Sequence, residues 1–242
     1  MHSPRNVRAA VVSLVATFGA CALAGCPGTD PDPPPDECTA GFLGDRTKEP
    51  VIELRAIGVD GTSAPISDGD DVALILPPQG GRVSFIGIRA TNLDGCGLQL
   101  IGAIRDLSSR RVMVDGRTLN LNTTGDGWGT TGTATTNLSD VASISNFANV
   151  PVCPNQWADT DAFDQPFEIE VRVTDKGGRA ATKTARVVPR CAEAKNRDEC
   201  LCICKRGYVL GQTCAPGDGG SDAAPPDAGT ADGAPGDASA ND

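Results

Sequence analysis

Short runs of alternating apolar and polar residues, separated by turn residues, are the feature that most constrains the fold of this 242-residue chain. In residues 167–173 (FEIEVRV) the apolar side chains occupy every second position, and residues 51–57 (VIELRAI) show the same period. A period of two is that of a β-strand with one buried face. Turn signals recur about every 8–12 residues over much of the region, as in β-sandwiches. The sequence therefore predicts an all-β fold.

Two segments depart from this simple alternation. Residues 82–90 (RVSFIGIRA) carry apolar side chains on both faces, which predicts either a central strand covered on both sides or a bulge at Gly87 that exchanges the faces. Residues 122–165 are long and poor in strand signals, so we expect an insertion or an irregular face there. Only residues 139–148 show a weak helical spacing.

The segment FEIEVRVTDKGGRAATKTARVV resembles the last two strands of Ig-like domains of bacterial surface proteins. The segments RVSFIGIRATN and LQLIGAIRD resemble the central strands of the same fold. The resemblance covers residues 50–190 and implies an Ig-like β-sandwich, which we assign to residues 38–190.

Residues 1–25 have the layout of an export signal. Arg5 and Arg8 provide a positive start, and residues 9–20 are apolar or small but too few to span a bilayer. No later run offers the roughly 18 consecutive apolar residues that a membrane helix needs. The sequence therefore predicts an exported chain without a membrane-spanning helix.

The signal ends in Leu23-Ala24-Gly25-Cys26, which resembles the lipobox of bacterial lipoproteins. In that family the signal peptidase cuts before the cysteine, and its sulfur receives a diacylglyceryl group. The resemblance implies that Cys26 is the mature N-terminus and carries the lipid, with acyl chains such as palmitate. Pro27 stands where inner-membrane members carry Asp, which implies the outer membrane. The alternative is an ordinary signal peptide in which Cys26 is incidental.

The formal net charge of −10 resides mainly in two flanking segments. The Pro/Asp-rich linker of residues 26–37 is expected to be extended, and the C-terminal tail of residues 215–242, rich in Ala, Gly, Pro and Asp, is expected to be disordered. Residues 38–214 hold 21 acids and 19 bases, so no nucleic-acid partner is expected. With 16 Arg against 5 Lys, the composition resembles lipoproteins of GC-rich Gram-negative bacteria such as the myxobacteria.

Cysteine and histidine usage limits the chemistry. The only histidine is His2, in the signal, so the mature chain has neither a Ser-His-Asp nor a Cys-His pair, and we expect no enzyme and no cofactor. An even number of cysteines in an exported chain predicts disulfide bonds. Eight remain after Cys21 and Cys26: Cys38, Cys96, Cys153, Cys191, Cys200, Cys202, Cys204 and Cys214.

The run from Cys202 to Tyr208 (CICKRGY), followed by Cys214, resembles the last loop of an EGF-like module. We therefore expect residues 191–214 to form a small disulfide-rich knot. The resemblance implies that Cys204 pairs with Cys214, and that Cys202 pairs with Cys191 or Cys200.

The other cysteines are assigned by their place along the chain. Cys96 and Cys153 are the cysteines among the predicted strands and loops of the sandwich, so a bridge between them is predicted. Cys38 is predicted to pair with the remaining cysteine of the knot, which is either Cys191 or Cys200. The alternative is a thiolate site for copper(I) or zinc on Cys200, Cys202 and Cys204.

Candidate binding residues lie in the irregular region. Trp128 and Trp157 are either exposed binding anchors or plugs for an open end of the sandwich. Carboxylates cluster in residues 67–71 and 159–164, where they either bind calcium or form turns.

The sequence thus predicts a lipid-anchored cell-envelope protein with a binding or structural role. Its expected partners are the membrane, through the lipid on Cys26, and an envelope protein or glycan. The alternatives are metal handling by thiolates and an envelope hydrolase that uses carboxylates.

Overall fold

The computed structural model describes residues 38–134, 138 and 144–214. Within those residues it contains thirteen β-strands, a 3-10 turn at Ala194–Asn196 and an α-helix, α1, at Arg197–Ile203. Other sequence predictions lie outside the described residues: the signal at residues 1–25, the lipidated Cys26, the linker at residues 26–37 and the tail at residues 215–242.

Two sheets pack face to face. The first contains β2 (Val51–Ile57), β3 (Ser63–Pro65), β5 (Arg82–Thr91), β9 (Asn122–Thr123), β10 (Gly129–Thr130) and β11 (Ala148–Cys153). Its order is β3-β2-β5-β10-β9, with β11 paired to the first half of β5. The second contains β4 (Asp70–Ala73), β7 (Leu98–Asp106), β8 (Val112–Leu119), β12 (Phe167–Thr174) and β13 (Ala180–Arg190), in the order β4-β13-β12-β7-β8. A small third sheet joins β1 (Phe42–Leu43) to β6 (Leu93–Asp94).

This arrangement is an Ig-like sandwich, as the sequence predicts. The neighbours β13, β12, β7 and β8 follow the G-F-C-C′ order of that fold, and β2, β5 and β11 follow the order A-B-E. The strand β4 pairs in parallel with the last strand, β13. The predicted alternation is also present, since Phe167, Ile169, Val171 and Val173 of β12 are all fully buried.

Strand β5 is buried on both faces, which confirms the first of the two interpretations of its sequence. Ile86 and Ile88 face the main core between the sheets, whereas Val83 and Phe85 belong to a second cluster on the outer side. Phe147 covers this outer side, close to Gly87. The pairing of β5 with β2 runs through Gly87 without a shift, so no bulge exchanges the faces there.

The described part of residues 122–165, where the sequence has few strand signals, contains three strands. The most important is β11, because Ala148, Val150 and Val152 enter the main core. Its alternation is short, and Pro151 weakens the pattern. Proline is tolerated here because β11 pairs only with β5 and thus forms an edge.

Gly102 of β7 sets how closely the two sheets approach. A Cβ atom at this position would lie 2.7 Å from Ala148 Cβ and 3.1 Å from Val150 Cγ2 of the facing sheet. Both distances are shorter than ordinary van der Waals contact, so a side chain here would push the sheets apart.

We therefore expect Gly102→Ala to lower the free energy of unfolding by roughly 1–3 kcal/mol, because overpacking a close-packed core forces backbone shifts. The matched control is Gly116→Ala on the neighbouring strand β8, where an added Cβ meets no atom within 4 Å. That variant should be neutral or slightly stabilising. Urea denaturation of both proteins checks the prediction, and equal stabilities would contradict it.

All eight cysteines of the described residues form disulfides, which confirms the expectation of a disulfide-rich region. The bridges are Cys38–Cys96, Cys153–Cys204, Cys191–Cys200 and Cys202–Cys214. None of the predicted pairings is among them.

The pairings implied by the EGF resemblance, Cys204 with Cys214 and Cys202 with Cys191 or Cys200, are wrong because the cysteines lie on a helix. Helix α1 contains Cys200 and Cys202 and is capped by Cys204. Residues four apart share one face of a helix, whereas residues two apart point to different sides. Cys200 and Cys204 therefore face the sandwich, and Cys202 reaches Cys214 on another side.

The predicted Cys96–Cys153 bridge is wrong because the two cysteines lie at opposite ends of the sandwich. Cys153 pairs with Arg82 at the start of β5, whereas Cys96 belongs to the turn that follows the end of β5. Strand β5 has ten residues, which corresponds to a length of about 30 Å. The prediction that Cys38 joins the knot is also wrong, because pairing of β1 with β6 brings Cys38 to Cys96.

Candidate binding cleft

Loops from three distant parts of the chain meet at the end of the sandwich where β5 begins, which we call the cleft end. The turn from β7 to β8 lies there, and so do residues 154–166 and the cysteine-rich segment, residues 191–214. The segment is part of the main core, since Cys200, Leu201 and Ile203 pack with the strands. The first described residue, Cys38, is bridged to Cys96 at the other end.

A buried carboxylate, Asp106, holds two of these loops together. Its oxygens accept hydrogen bonds from Ser108 N at 3.0 Å and from Ser109 Oγ at 2.7 Å, within the turn after β7. They also accept the N–H of Asp159 at 2.8 Å, which fixes the second loop. Burial raises the pKa of Asp106, but these hydrogen bonds together lower it by more, so its pKa lies well below the usual range.

Asn155 joins the second loop to the end of helix α1. Its side-chain amide donates to Thr160 O at 2.8 Å and to Cys204 O at 3.1 Å, and its backbone N–H donates to Ile203 O at 2.8 Å. The carbonyls at a helix C-terminus need partners outside the helix, and Asn155 provides them. The loop, the helix and the Cys153–Cys204 bridge therefore form one fixed unit.

Between these loops lies an open cleft of about 380 Å³. Its lining includes Arg111, Asp159, Arg206 and Tyr208. A second depression of about 350 Å³ continues past Arg206 toward Cys202. Loops fixed on a rigid scaffold commonly carry binding residues.

The cleft presents two cationic side chains and one aromatic ring. Arg111 Nη1 donates to Trp157 O at 3.2 Å and lies 3.6 Å from Asp159 Oδ1. The guanidinium of Arg206 is exposed and forms no ion pair within the described residues, while its backbone N–H donates to Asp161. Tyr208 OH donates to Gln212 O at 3.0 Å, which orients the ring on the rim.

Beside Tyr208, two large apolar side chains face solvent. Val209 is 65% exposed and Leu210 is 68% exposed, the highest values among the large apolar residues of the described chain. The cleft therefore combines cations, an aromatic ring and an apolar rim.

The structure separates the two tryptophans. Trp157 is a core residue, not a binding anchor: it is only 8% exposed, its ring contacts Phe167, and its Nε1–H donates to Val152 O at 2.8 Å. Trp128 is half-buried, and the guanidinium of Arg89 stacks 4.4 Å from its ring centre. Trp128 precedes β10, which pairs with the far half of β5, so it does not belong to the cleft.

The cysteines proposed as metal ligands do not meet as a set of three. The sulfurs that come together, within 4.8 Å of one another, are those of Cys191, Cys200 and Cys204. Cys202 is bonded to Cys214 instead. Every one of these sulfurs is in a disulfide, so thiolate ligation requires the bridges to be reduced first.

The clustered carboxylates have partners within the protein. Arg190 donates to Asp71 at 2.8 Å and to Asp164 at 2.6 Å, and its pKa is raised by these hydrogen bonds. Asp68 accepts the N–H of Arg186, and Asp161 accepts the N–H of Arg206. These contacts are those of turn-forming and loop-fixing residues.

Comparison of the chain with protein-family models, with curated proteins and with solved structures finds no match. In the part of the chain that the structure describes, no helix is long and apolar enough to cross a membrane.

The sequence indicated only part of this site. The CKRGY motif singles out the loop that contains Arg206 and Tyr208. Arg111, Asp106 and Asn155 were missed, because a single Arg, Asp or Asn in a loop carries no local signal. Only the approach of three loops gives these residues a common role.

Proposed function

We propose that this chain is a lipid-anchored protein of the outer membrane that binds an envelope partner through the cleft. The observation that carries the proposal is the position of the cleft at the end of the sandwich opposite to Cys38. The chain enters the sandwich at Cys38, so the cleft lies at the other end of the domain from the attachment of the linker. The linker of residues 26–37 can span at most about 40 Å.

The chemistry of the cleft favours an anionic partner. Arg111 and Arg206 both line the cleft, and guanidinium groups recognise carboxylates and phosphates through paired hydrogen bonds. Tyr208 adds an aromatic surface of the kind that contacts peptide or sugar groups. An acidic envelope protein or an anionic glycan meets these requirements.

Binding agrees better than hydrolysis with the titrating groups of the site. A carboxyl group that acts as a general acid has a raised pKa. The pKa of Asp106 is lowered instead, and its carboxylate oxygens already accept hydrogen bonds from the protein. Asp159 is paired with Arg111.

The anchor is tested by Cys26→Ala. We expect the protein to move almost entirely from the membrane fraction to the soluble fraction, or to stay unprocessed, and to lose labelling by palmitate. The matched control is Cys21→Ala in the same signal, which should be processed and labelled normally. A Cys26→Ala protein that still matured at residue 26 and floated with membranes would contradict the anchor.

The cleft is tested with a soluble form that starts at Pro27. Its binding to outer membranes from cells that lack the protein is measured for Arg206→Glu and for the control Arg172→Glu, on the exposed face of β12. We expect Arg206→Glu to weaken binding at least tenfold and the control to leave it unchanged. An equal effect of both variants, or of neither, would exclude the cleft as the binding site.

A further inference from the structure

The residue that precedes the C-terminal tail (residues 215–242) is attached at the edge of the cleft. This residue is Cys214, which is bonded to Cys202, and Cys202 lines the depression that continues from Arg206. Cys214, the residue before the tail, is therefore fixed beside the depression that Arg206 also lines. The opposite end of the sandwich holds the N-terminal bridge and offers the tail no such attachment.

The charge of the tail is opposite to that of the cleft. It contains no Lys, Arg or His, and its acids recur every four or five residues. They are Asp218, Asp222, Asp227, Asp232, Asp237 and Asp242. Facing them at the cleft end are Arg111 and Arg206, the latter without an ion-pair partner in the described residues.

The first acids of the tail follow the attached Cys214 closely in sequence. Asp218 follows Cys214 by four residues and Asp222 by eight, distances that a chain spans up to about 14 Å and about 28 Å. The tail has no aromatic or large apolar residue, so charge is what it can offer to the cleft.

We propose that the cleft accepts an extended acidic segment and that the tail of this same chain is its resident occupant. Exposed ion pairs are individually weak. Attachment of the tail at Cys214 makes up for the weakness of each ion pair, because a short tether gives the acidic groups an effective concentration in the millimolar range. The tail then competes with any anionic partner and is displaced by one that binds more tightly. This inference uses the cleft of the proposed function but requires neither the lipid anchor nor an outside partner.

Zero-length cross-linking tests the contact in the full chain. Arg206→Lys keeps the charge and supplies an amine that a carbodiimide joins to a nearby carboxylate. The control amine is Lys176, exposed in the turn between β12 and β13 at the other end of the sandwich. We expect peptides with Asp218 or Asp222 to be joined to position 206 at least fivefold more often than to Lys176, and 0.5 M salt to abolish the difference. Equal yields at both amines would overturn the proposal.

A second measurement separates this inference from the proposed function. A protein that ends at Cys214 is titrated with a synthetic peptide of residues 215–232, and with the same peptide carrying Asn for every Asp. We expect only the acidic peptide to bind, with at least tenfold weaker binding to Arg206→Glu. The truncated protein should also bind outer membranes several-fold more tightly than the full chain. If membranes bind through Arg206 but the peptide does not, the proposed function stands and the tail is not the occupant.

Discussion

Replacing Cys153 and Cys204 together with alanine is expected to lower the free energy of unfolding by about 4 kcal/mol. The bridge joins residues 51 positions apart, and opening such a loop returns a large chain entropy to the unfolded state. For a domain of this size we expect the melting temperature to fall by roughly 10 °C. Urea and thermal denaturation under non-reducing conditions measure both quantities.

The matched control is the double replacement of Cys202 and Cys214, which removes the same atoms but opens a loop of only 12 positions, worth about 3 kcal/mol. The two variants should differ more clearly in local order. Asn155 and Ala162 donate their backbone N–H groups to Ile203 and Cys204, so hydrogen exchange at both amides should accelerate only when the Cys153–Cys204 bridge is lost. Unchanged exchange in that variant would show that hydrogen bonds alone hold the cysteine-rich segment.

Much of the sandwich could be predicted because its strands bury one face each. In β12 and β2 the buried side chains occupy alternate positions. This period of two can be recognised in the sequence without knowing which strand pairs with each of them. For β5 the apolar residues on both faces predicted either a central strand or a bulge at Gly87, and the structure contains the central strand. The sequence did not reveal that Phe147 and Ile144 form the outer cover.

The disulfide pairing could not be predicted, because it depends on the local conformation of a short segment. In an extended strand the side chains of Cys202 and Cys204 would point to the same side. Helix α1 turns them apart and places Cys200 and Cys204 together, with their sulfurs 3.9 Å apart. Helix α1, which sets these directions, has only seven residues, and helices this short have weak sequence signals.

The cleft was beyond sequence analysis for a different reason. Arg111, Asn155 and Arg206 are separated by 44 and 51 positions, and none belongs to a local motif for binding. They meet because β7 and β11 end at the same end of the sandwich as α1. Asp106 is the clearest case, since only the folded structure brings the Asp159 N–H to its carboxylate.

Asp106→Asn is expected to lower the free energy of unfolding at neutral pH by about 3 kcal/mol. The carboxylate is buried and accepts hydrogen bonds from Ser108, Ser109 and Asp159. An amide has one oxygen instead of two, and its NH₂ group would face donors instead of acceptors. At least one buried donor would therefore lose its partner, and the turn after β7 would detach from the second loop of the cleft.

The pH dependence identifies the charge as the cause. Because folding lowers the pKa of Asp106, its stabilisation is complete above the pKa of an unfolded carboxyl group, about 3.9, and is lost as the pH falls below that value. The difference in stability between the natural protein and Asp106→Asn should thus shrink steadily from pH 5 to pH 2. The control Glu170→Gln removes a carboxylate of β12 that has no hydrogen bond or ion pair in the described structure, so its difference should stay small at every pH. Urea denaturation across this range tests both variants, and a difference for Asp106→Asn that does not change with pH would show that the shape of the side chain, not its charge, fixes the loops.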